Sequence, residues 1–263
     1  MFQLSPNIEL IFTEAGDYPD RVRAAAAAGF DAVEMWGPTG NDGLTGAKDI
    51  PALKAALDET GVQLTAQLIE PRTQFLIPPK DHSLFFHGLD TGVAIARELG
   101  CPNIIVNSGT GFGGSTRATQ LDELVDIFSK ATAQIQGSGI TLIIEAVNIR
   151  VDHPGQLLDR TSDAAYIARG VDSPFFGVLY DLYHSVIEEE DVATELSNAR
   201  DVIRYVEISD VPGRGEPGTG DIDWSSTLCA IRDSGYSGPI GLEYRPVASS
   251  TESAKFIQQL ARA

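Results

Sequence analysis

Short apolar segments alternate with helical patterns about eight times along this chain, and this alternation constrains the fold more than any other feature. A strand that is repeatedly followed by a helix predicts a parallel sheet, because each helix returns the chain to the same edge. Eight such units in 263 residues match the size of a closed α/β barrel, the (β/α)8 or TIM barrel. A doubly wound open sheet is the competing arrangement, and the even spacing of the units favours closure. We therefore predict one TIM-barrel domain over residues 1–263.

The individual elements are predicted from apolar runs and from helical periodicity. The strands are expected at Asn7–Ile11, Ala32–Met35, Gln63–Leu68, Asn103–Val106, Thr141–Ile144, Gly177–Tyr180, Arg204–Ile208 and Pro239–Leu242. The helices are expected at Asp20–Ala28, Ile50–Thr60, Leu84–Leu99, Leu121–Gln136, Ser162–Ala168, Val192–Ala199, Ser225–Ser234 and Thr251–Arg262. Glycines at positions 29, 61, 100, 170 and 235 are expected to end helices in the left-handed conformation.

Charge and cysteine content exclude several classes of partner. The formal net charge is −18, so the surface repels nucleic-acid backbones and anionic membranes, and neither is an expected partner. Cys101 and Cys229 do not form a CxxC pattern, which indicates reduced cysteines in a reducing compartment. No apolar run approaches the roughly 20 residues of a membrane span. We expect a cytoplasmic protein, and the sequence leaves open whether it is a monomer or a homo-oligomer.

An acidic residue stands at or near the end of each of the last four predicted strands: Glu145, Asp181, Glu207 and Glu243. They are spaced by about one strand–helix unit, and barrel active sites lie where the strands end. Four carboxylates share a dry site only if a cation compensates them or if some are protonated. Oxygen ligands favour a hard divalent ion, so the pattern predicts a Mg²⁺ or Mn²⁺ site.

Four segments resemble the hydroxypyruvate isomerase family of xylose-isomerase-like barrels, which is related to 2-oxo-tetronate isomerases and ketose 3-epimerases. They are residues 144–148 (IEAVN), 180–184 (YDLYH), 214–220 (RGEPGTG) and 241–246 (GLEYRP), and the likeness extends over nearly the whole chain. The resemblance implies that Glu145 and Glu243 bind the ion and act as the acid/base pair, and that Asp181 and Glu207 complete the metal set. Glu207 departs from the family, where the isomerases usually have glutamine and the epimerases histidine.

The resemblance also implies a reaction that moves a carbonyl between adjacent carbons of a small hydroxy-oxo acid or sugar. Such a reaction removes a proton next to a carbonyl, and a divalent ion together with two carboxylates suits the enediolate that forms. Hydroxypyruvate to tartronate semialdehyde is the leading pair. The alternatives are an epimerase of a keto-sugar or inosose, and a non-catalytic barrel that binds sugar acids. A DNA-repair endonuclease with a multi-zinc site is excluded by the four histidines and by the charge.

Two further residues are predicted to bind substrate. His184 follows Asp181 by three positions, and by resemblance to the epimerases it hydrogen-bonds a substrate oxygen; a packing role is the alternative. Arg214 is expected to bind a substrate carboxylate, with a salt bridge to Glu216 or Asp210 as the alternative.

Three residues near other strand ends are interpreted more simply. Trp36 is a candidate apolar wall of the pocket. Glu70 and Arg72 are interpreted as an exposed pair on a loop, with a position in the lining of the pocket as the alternative.

Overall fold

The barrel is built from eight parallel strands, and seven neighbouring pairs are hydrogen-bonded along their length. The computed structural model describes residues 2–40 and 46–262. Its strands are β1 (Leu4–Pro6), β2 (Ala32–Met35), β3 (Gln63–Leu68), β4 (Asn103–Val106), β5 (Thr141–Glu145), β6 (Phe176–Asp181), β7 (Ile203–Ile208) and β8 (Ile240–Leu242). Their spatial order is β1-β8-β7-β6-β5-β4-β3-β2, with every pair parallel. This arrangement confirms the predicted TIM barrel.

Helices connect the strands on the outside of the ring. They are α1 (Tyr18–Ala27), α2 (Ile50–Thr60), α3 (Ser83–Leu99), α4 (Arg117–Gln134), α5 (Thr161–Val171), α6 (Leu182–Ile187), α7 (Val192–Ala199), α8 (Trp224–Asp233), α9 (Ser250–Ser253) and α10 (Lys255–Arg262). Side chains of Asp17, Asp49, Thr116, Asp191 and Asp223 accept hydrogen bonds at their N-termini. Within the described residues no helix is both long and apolar enough to cross a membrane.

The ring closes through short contacts of β1 on both sides. On one side Leu4 pairs with Ile240 of β8. On the other side Asn7 forms a parallel bridge with Glu34 of β2, and the Ile8 amide donates to the Glu34 carbonyl at 3.0 Å. The two ends of the chain are therefore joined at one seam of the barrel.

The predicted first strand at Asn7–Ile11 is wrong, because β1 lies earlier, at Leu4–Pro6. After the Asn7 bridge the chain turns, and the Ile11 amide donates to the Asn7 carbonyl at 2.9 Å. The apolar side chains of Ile8 and Ile11 are fully buried in that turn rather than in a strand. The apolar run at Asn7–Ile11 therefore reflects the burial of these side chains and does not mark a strand.

Two helical expectations also fail. Gly170 lies inside α5, where a side chain would collide with Val125 of α4, so this glycine permits close helix packing rather than ending a helix. The cap that follows α5 is Asp172, whose φ is 46°. Helix α6 was not predicted, and the expected helix at Thr251–Arg262 is divided into α9 and α10.

Alternation along the strands divides the core into two regions. The larger region lies between the strands and the helices. A smaller cluster packs on the inner face of the ring and consists of Ala66, Leu68, Ile105, Ile143, Leu179 and Tyr205, with Trp36 against it. The inner residues come from alternate strand positions, as expected where successive side chains point to opposite faces. The carboxyl ends of the strands lie above this inner cluster.

Candidate active site

The four acidic residues predicted from the strand ends come together at the carboxyl end of the barrel. Glu145 and Asp181 are the last residues of β5 and β6, and Glu207 lies beside Asp181 in the register of β6 with β7. Glu243 directly follows β8. One carboxylate oxygen of each residue lies within 4.8 Å of the others. The parallel register, rather than proximity in sequence, therefore produces the cluster.

Burial makes this cluster electrostatically unfavourable in the absence of a cation. Burial and the neighbouring Glu243 and Asp181 raise the pKa of Glu145 well above its usual value. Burial, opposed in part by Arg214, raises the pKa of Asp181 to about 7. Burial and the surrounding carboxylates also raise the pKa of Glu207 strongly. The set therefore requires either protons or a compensating cation near neutral pH.

A fifth carboxylate, Glu34 of β2, lies beneath the four and was not predicted as part of the site. The Tyr205 hydroxyl donates to its Oε2 at 2.6 Å, and the Asn7 amide donates to its Oε1 at 3.3 Å. A side chain at Gly241 would collide with both Glu34 and Glu207, so glycine at this position allows the two carboxylates to approach. Burial, together with Glu243, raises the pKa of Glu34 well above its usual value.

The Arg214 guanidinium sits against the carboxylates. Its Nη2 atom lies 3.2 Å from Asp181 Oδ2 and contacts Glu243 Oε2. The partners proposed as alternatives in the sequence bind elsewhere. Asp210 accepts hydrogen bonds from the Gly218 amide at 2.7 Å and from the Trp224 indole at 2.9 Å, and Glu216 accepts from the amide of residue 247.

The loop that carries Arg214 holds it in an unusual backbone conformation. Its φ is 53°, in the left-handed region that costs a non-glycine residue energy. Burial alone would lower the pKa of Arg214, but Glu243 and Asp181 raise it above its usual value, so the side chain stays charged.

His184 faces the same cluster from the start of α6. Its Nε2 atom lies 3.5 Å from both Glu145 Oε1 and Asp181 Oδ2. Its Nδ1 atom accepts from the Asn148 backbone amide at 3.1 Å, an arrangement that assigns the ring proton to Nε2. Burial, Arg214 and His153 lower the pKa of His184 well below its usual value. The ring is therefore neutral and presents an N–H group to the site.

Trp36 contributes a hydrogen bond that the sequence did not reveal. Its indole Nε1 donates to Glu243 Oε1 at 2.7 Å, whereas the sequence suggested only an apolar wall. Its backbone amide donates to Glu9 Oε1 at 3.2 Å, and Glu9 forms an ion pair with Lys48 at 2.7 Å. The Lys48 and Glu9 side chains are 0% and 2% exposed. Local sequence carries no signal for this network, because it joins segments that are distant along the chain.

Glu70 and Arg72 do not form the exposed pair expected from the sequence. Glu70 is buried and accepts a hydrogen bond from the Thr39 hydroxyl at 2.8 Å. Arg72 is exposed and lines the cavity that opens above the carboxylates. This cavity has a volume of about 600 Å³. The carboxylates Glu145, Glu207 and Glu243 line it, together with His184, Arg214 and Trp36.

The donor set fits a hard divalent cation. Three buried carboxylates and the half-buried Glu145 offer oxygen atoms within 4.8 Å of one another, and oxygen ligands of this kind favour Mg²⁺ or Mn²⁺. Glu145, Asp181 and His184 form a second, overlapping group. Burial raises the pKa values of Glu145, Asp181 and Glu207, and a nearby cation would oppose this effect by favouring the charged carboxylates.

Comparison with known proteins places the chain in a family. The family model described as xylose isomerase-like TIM barrel matches residues 22–260. The 2-oxo-tetronate isomerase of Cupriavidus necator is 31% identical, with 95% of each chain covered. The hydroxypyruvate isomerase of Escherichia coli strain K12 is 28% identical, with 98% of each chain covered.

A solved structure has the same fold. The crystal structure of AP endonuclease, family 2, from Brucella melitensis superposes with a TM-score of 0.87 at 24% identity. It covers 98% of this chain and 99% of its own, and at this identity the likeness extends to the fold alone. Family model, barrel topology and full-length relatives agree, and this chain belongs to the xylose isomerase-like TIM barrel family.

Proposed function

We propose that this protein is a metal-dependent isomerase that moves a carbonyl between adjacent carbons of a small hydroxy-oxo acid. The observation that carries the proposal is the convergence of Glu145, Asp181, Glu207 and Glu243, three of which (Glu145, Glu207 and Glu243) line the cavity. Two relatives of full length are named hydroxypyruvate isomerase and 2-oxo-tetronate isomerase, which supports an acid substrate. Hydroxypyruvate to tartronate semialdehyde is the leading reaction.

Glu145 and Glu243 are the proposed acid/base pair. They follow β5 and β8, so they approach a substrate from different parts of the ring. Each is held by a different donor, because Asn107 Nδ2 reaches Glu145 Oε2 at 3.3 Å and the Trp36 indole reaches Glu243 at 2.7 Å. A carboxyl group with a raised pKa, as at Glu145, suits proton transfer near neutral pH.

Glu145, Asp181, Glu207 and Glu243 are the residues that would hold the divalent ion. When bound, the ion supplies Lewis-acid polarisation of the substrate carbonyl. Its charge would also favour the deprotonated forms of Asp181 and Glu207, whose pKa values burial raises.

His184 and Arg214 are the proposed substrate-binding residues. The neutral His184 ring offers its Nε2–H to a substrate oxygen and has no positive charge of its own to repel the cation. Arg214 lines the cavity beside Glu243, where its guanidinium N–H groups can donate hydrogen bonds to a substrate carboxylate. A negatively charged substrate can thus bind although the net charge of the protein is −18, because Arg214 and the proposed divalent ion supply positive charge inside the cavity.

Solvent exchange tests the proposal directly. The protein is incubated in D2O with hydroxypyruvate and Mg²⁺ or Mn²⁺, and proton NMR follows the hydroxymethyl carbon. We expect deuterium to enter that carbon at a rate that depends on enzyme concentration and that a chelator abolishes. The same measurement on 2-oxo acids and ketoses of increasing length identifies the substrates accepted.

One outcome would favour a binding protein instead. If calorimetry shows that the ion and a sugar acid bind, yet no compound in the panel exchanges its proton, the carboxylates hold a ligand without turning it over. The isomerase proposal would then be abandoned.

A further inference from the structure

One wall of the cavity is made by three neighbouring loops that follow β3, β4 and β5. Hydrogen bonds join the loops to one another. The Thr110 amide donates to Gln74 Oε1 at 2.6 Å, and the Leu157 amide donates to the Gly109 carbonyl at 3.0 Å. Thr110 also forms an antiparallel bridge with Gln156. These contacts link the three loops into one continuous surface beside the carboxylates.

This wall presents three buried oxygen atoms that lack a hydrogen-bond partner in the part of the chain that the structure describes. They are Thr73 Oγ1, Asn107 Oδ1 and Gln156 Oε1, one from each loop, and all three residues line the cavity. The Asn107 amide nitrogen donates to Glu145, so the orientation of this amide is fixed and its oxygen remains an acceptor. Buried polar atoms are normally paired, and unpaired atoms in a cavity indicate a ligand that completes them.

The chemistry of the three atoms restricts what can complete them. Amide oxygens only accept hydrogen bonds, and the threonine hydroxyl can accept one as well. A carboxylate or phosphate offers no donor at neutral pH, whereas a sugar hydroxyl does. Among the groups carried by a small hydroxy-oxo acid or sugar, only a hydroxyl donates hydrogen bonds, so it is the substrate group that fits this wall.

A three-carbon hydroxy-oxo acid has no hydroxyl outside the reacting pair of carbons. Hydroxypyruvate carries one hydroxyl and one ketone, and both belong to the pair of carbons that reacts. A cavity of about 600 Å³ is also in the size range that holds ligands much larger than three carbons.

We propose that Thr73, Asn107 and Gln156 form a hydroxyl-binding subsite for substrate carbons beyond the reacting pair. Within the proposed reaction class, the preferred substrate is then a polyhydroxylated chain of at least four carbons, and hydroxypyruvate is a shorter substrate that leaves the subsite empty. This inference rests on the proposed function for the position of the reacting carbons. Arg72 and Arg245 also line the cavity, where they can bind an acid group at the end of the substrate chain. The hydroxyl subsite alone would also suit a neutral chain, and the test separates the two cases.

Unreactive analogues test the subsite without turnover. Calorimetric titration of the Mg²⁺-loaded protein compares D-erythronate with D-glycerate, and erythritol with glycerol. A site that pairs otherwise unsatisfied atoms discriminates strongly against ligands that lack the hydroxyl. We expect the four-carbon member of at least one pair to bind about 10-fold or more tightly than the three-carbon member. Preference within the first pair alone identifies a sugar acid, and preference within both pairs identifies the hydroxylated chain itself.

Variants test whether Thr73 and Gln156 cause the preference for four-carbon ligands. Gln156→Met and Thr73→Val remove an acceptor at similar volume, and each should bring the ratio of four-carbon to three-carbon affinity toward one. Thr73→Ser keeps a hydroxyl and should keep the ratio high. Gln136→Met, at an exposed position on the surface, is the matched control for the glutamine change. Thermal melting confirms that each variant is folded.

The outcomes separate this inference from the proposed function. If hydroxypyruvate exchanges its proton and neither analogue pair shows a length preference, the subsite is refuted and the isomerase stands. If nothing is turned over but the preference exists and both variants abolish it, the subsite stands and the isomerase fails. Equal loss of affinity for the three-carbon and four-carbon members in both variants also refutes the subsite.

Discussion

The indole nitrogen of Trp36 donates a hydrogen bond of 2.7 Å to Oε1 of Glu243, which connects the end of β2 with the end of β8, the two strands on either side of β1. The other oxygen of Glu243 contacts Arg214. Both oxygens of this carboxylate are therefore held in place by side chains from other parts of the ring. A carboxylate fixed on both sides is suited to proton transfer at one defined position.

Replacing Trp36 with phenylalanine removes this donor and keeps an aromatic ring. A hydrogen bond to a charged group contributes about 1.5–3 kcal/mol, so we expect kcat/KM to fall roughly 10- to 100-fold. The loss should appear mainly in kcat, while calorimetric metal affinity changes much less. Wild-type turnover in Trp36→Phe would show that the indole does not position Glu243.

The buried pair behind Trp36 should matter for stability. Lys48→Met leaves Glu9 without its cation at a site where the two side chains are 0% and 2% exposed. Removing one partner of a buried pair costs about 3–5 kcal/mol, to be measured as the free energy of unfolding in urea. Lys54→Met is the matched control, because its pair with Asp58 is exposed and should contribute less than about 1 kcal/mol. Equal effects of the two substitutions would contradict the buried network.

Glu145→Gln and Glu243→Gln each remove a proposed proton carrier and keep the shape of the side chain. A positioned acid or base contributes about 10²- to 10⁴-fold, so deuterium exchange should fall by at least that lower figure. Circular dichroism should show an intact fold in both. Full exchange activity in either variant would exclude that residue from proton transfer.

Glu207→Gln tests the residue that distinguishes this chain from the family it resembles. Loss of one negative ligand should weaken Mg²⁺ affinity by at least about tenfold, measured by calorimetry. The metal-free variant should also melt at a higher temperature than wild type, because one carboxyl is removed from a buried acidic cluster. Unchanged affinity would mean that Glu207 is not a ligand.

The metal-free protein should lose stability as pH rises from about 4 to 7. The pKa of Asp181 in the folded state is about 7, above its value of 3.8 in an exposed side chain. Between these two values the folded state holds the proton and the unfolded state does not, so raising the pH favours unfolding. Thermal melts with a chelator at pH 5 and pH 7.5 measure this slope. Asp181→Asn should reduce it, and an unchanged slope in that variant would assign the effect to other groups.

A divalent ion should reverse this dependence. Protons compete with the ion for the same oxygens, so the rise in melting temperature on adding Mg²⁺ should be larger at pH 7.5 than at pH 5. An equal rise at both values would place the ion away from the raised carboxylates.

Most of the fold follows from local sequence patterns. Strands β2 to β8 are apolar runs of the expected length, and Ala32–Met35, Gln63–Leu68 and Asn103–Val106 have the predicted bounds. The first strand was misplaced because Ile8 and Ile11 are buried in a turn, and burial gives the same apolar signal in a turn as in a strand.

The candidate site was only partly accessible from sequence. The four carboxylates could be placed together because strand ends in a parallel barrel share one edge. The contact of Trp36 with Glu243 joins residues 207 positions apart, and no local periodicity encodes it. The place of Glu34 in the site could not be predicted from sequence for a different reason. Its hydrogen bond to Tyr205 forms only when the ring closes.

The seam between β1 and β8 has a consequence for how the protein folds. Leu4 and Ile240, which pair there, are separated by 236 positions, so closing the seam has a large loop-closure entropy cost. We expect it to form late in folding and to open early under stress. Glu243 follows β8, so an open seam removes one carboxylate from the cluster. If the proposed cation binds this cluster, its binding is thermodynamically linked to ring closure and should lower the population of the opened barrel.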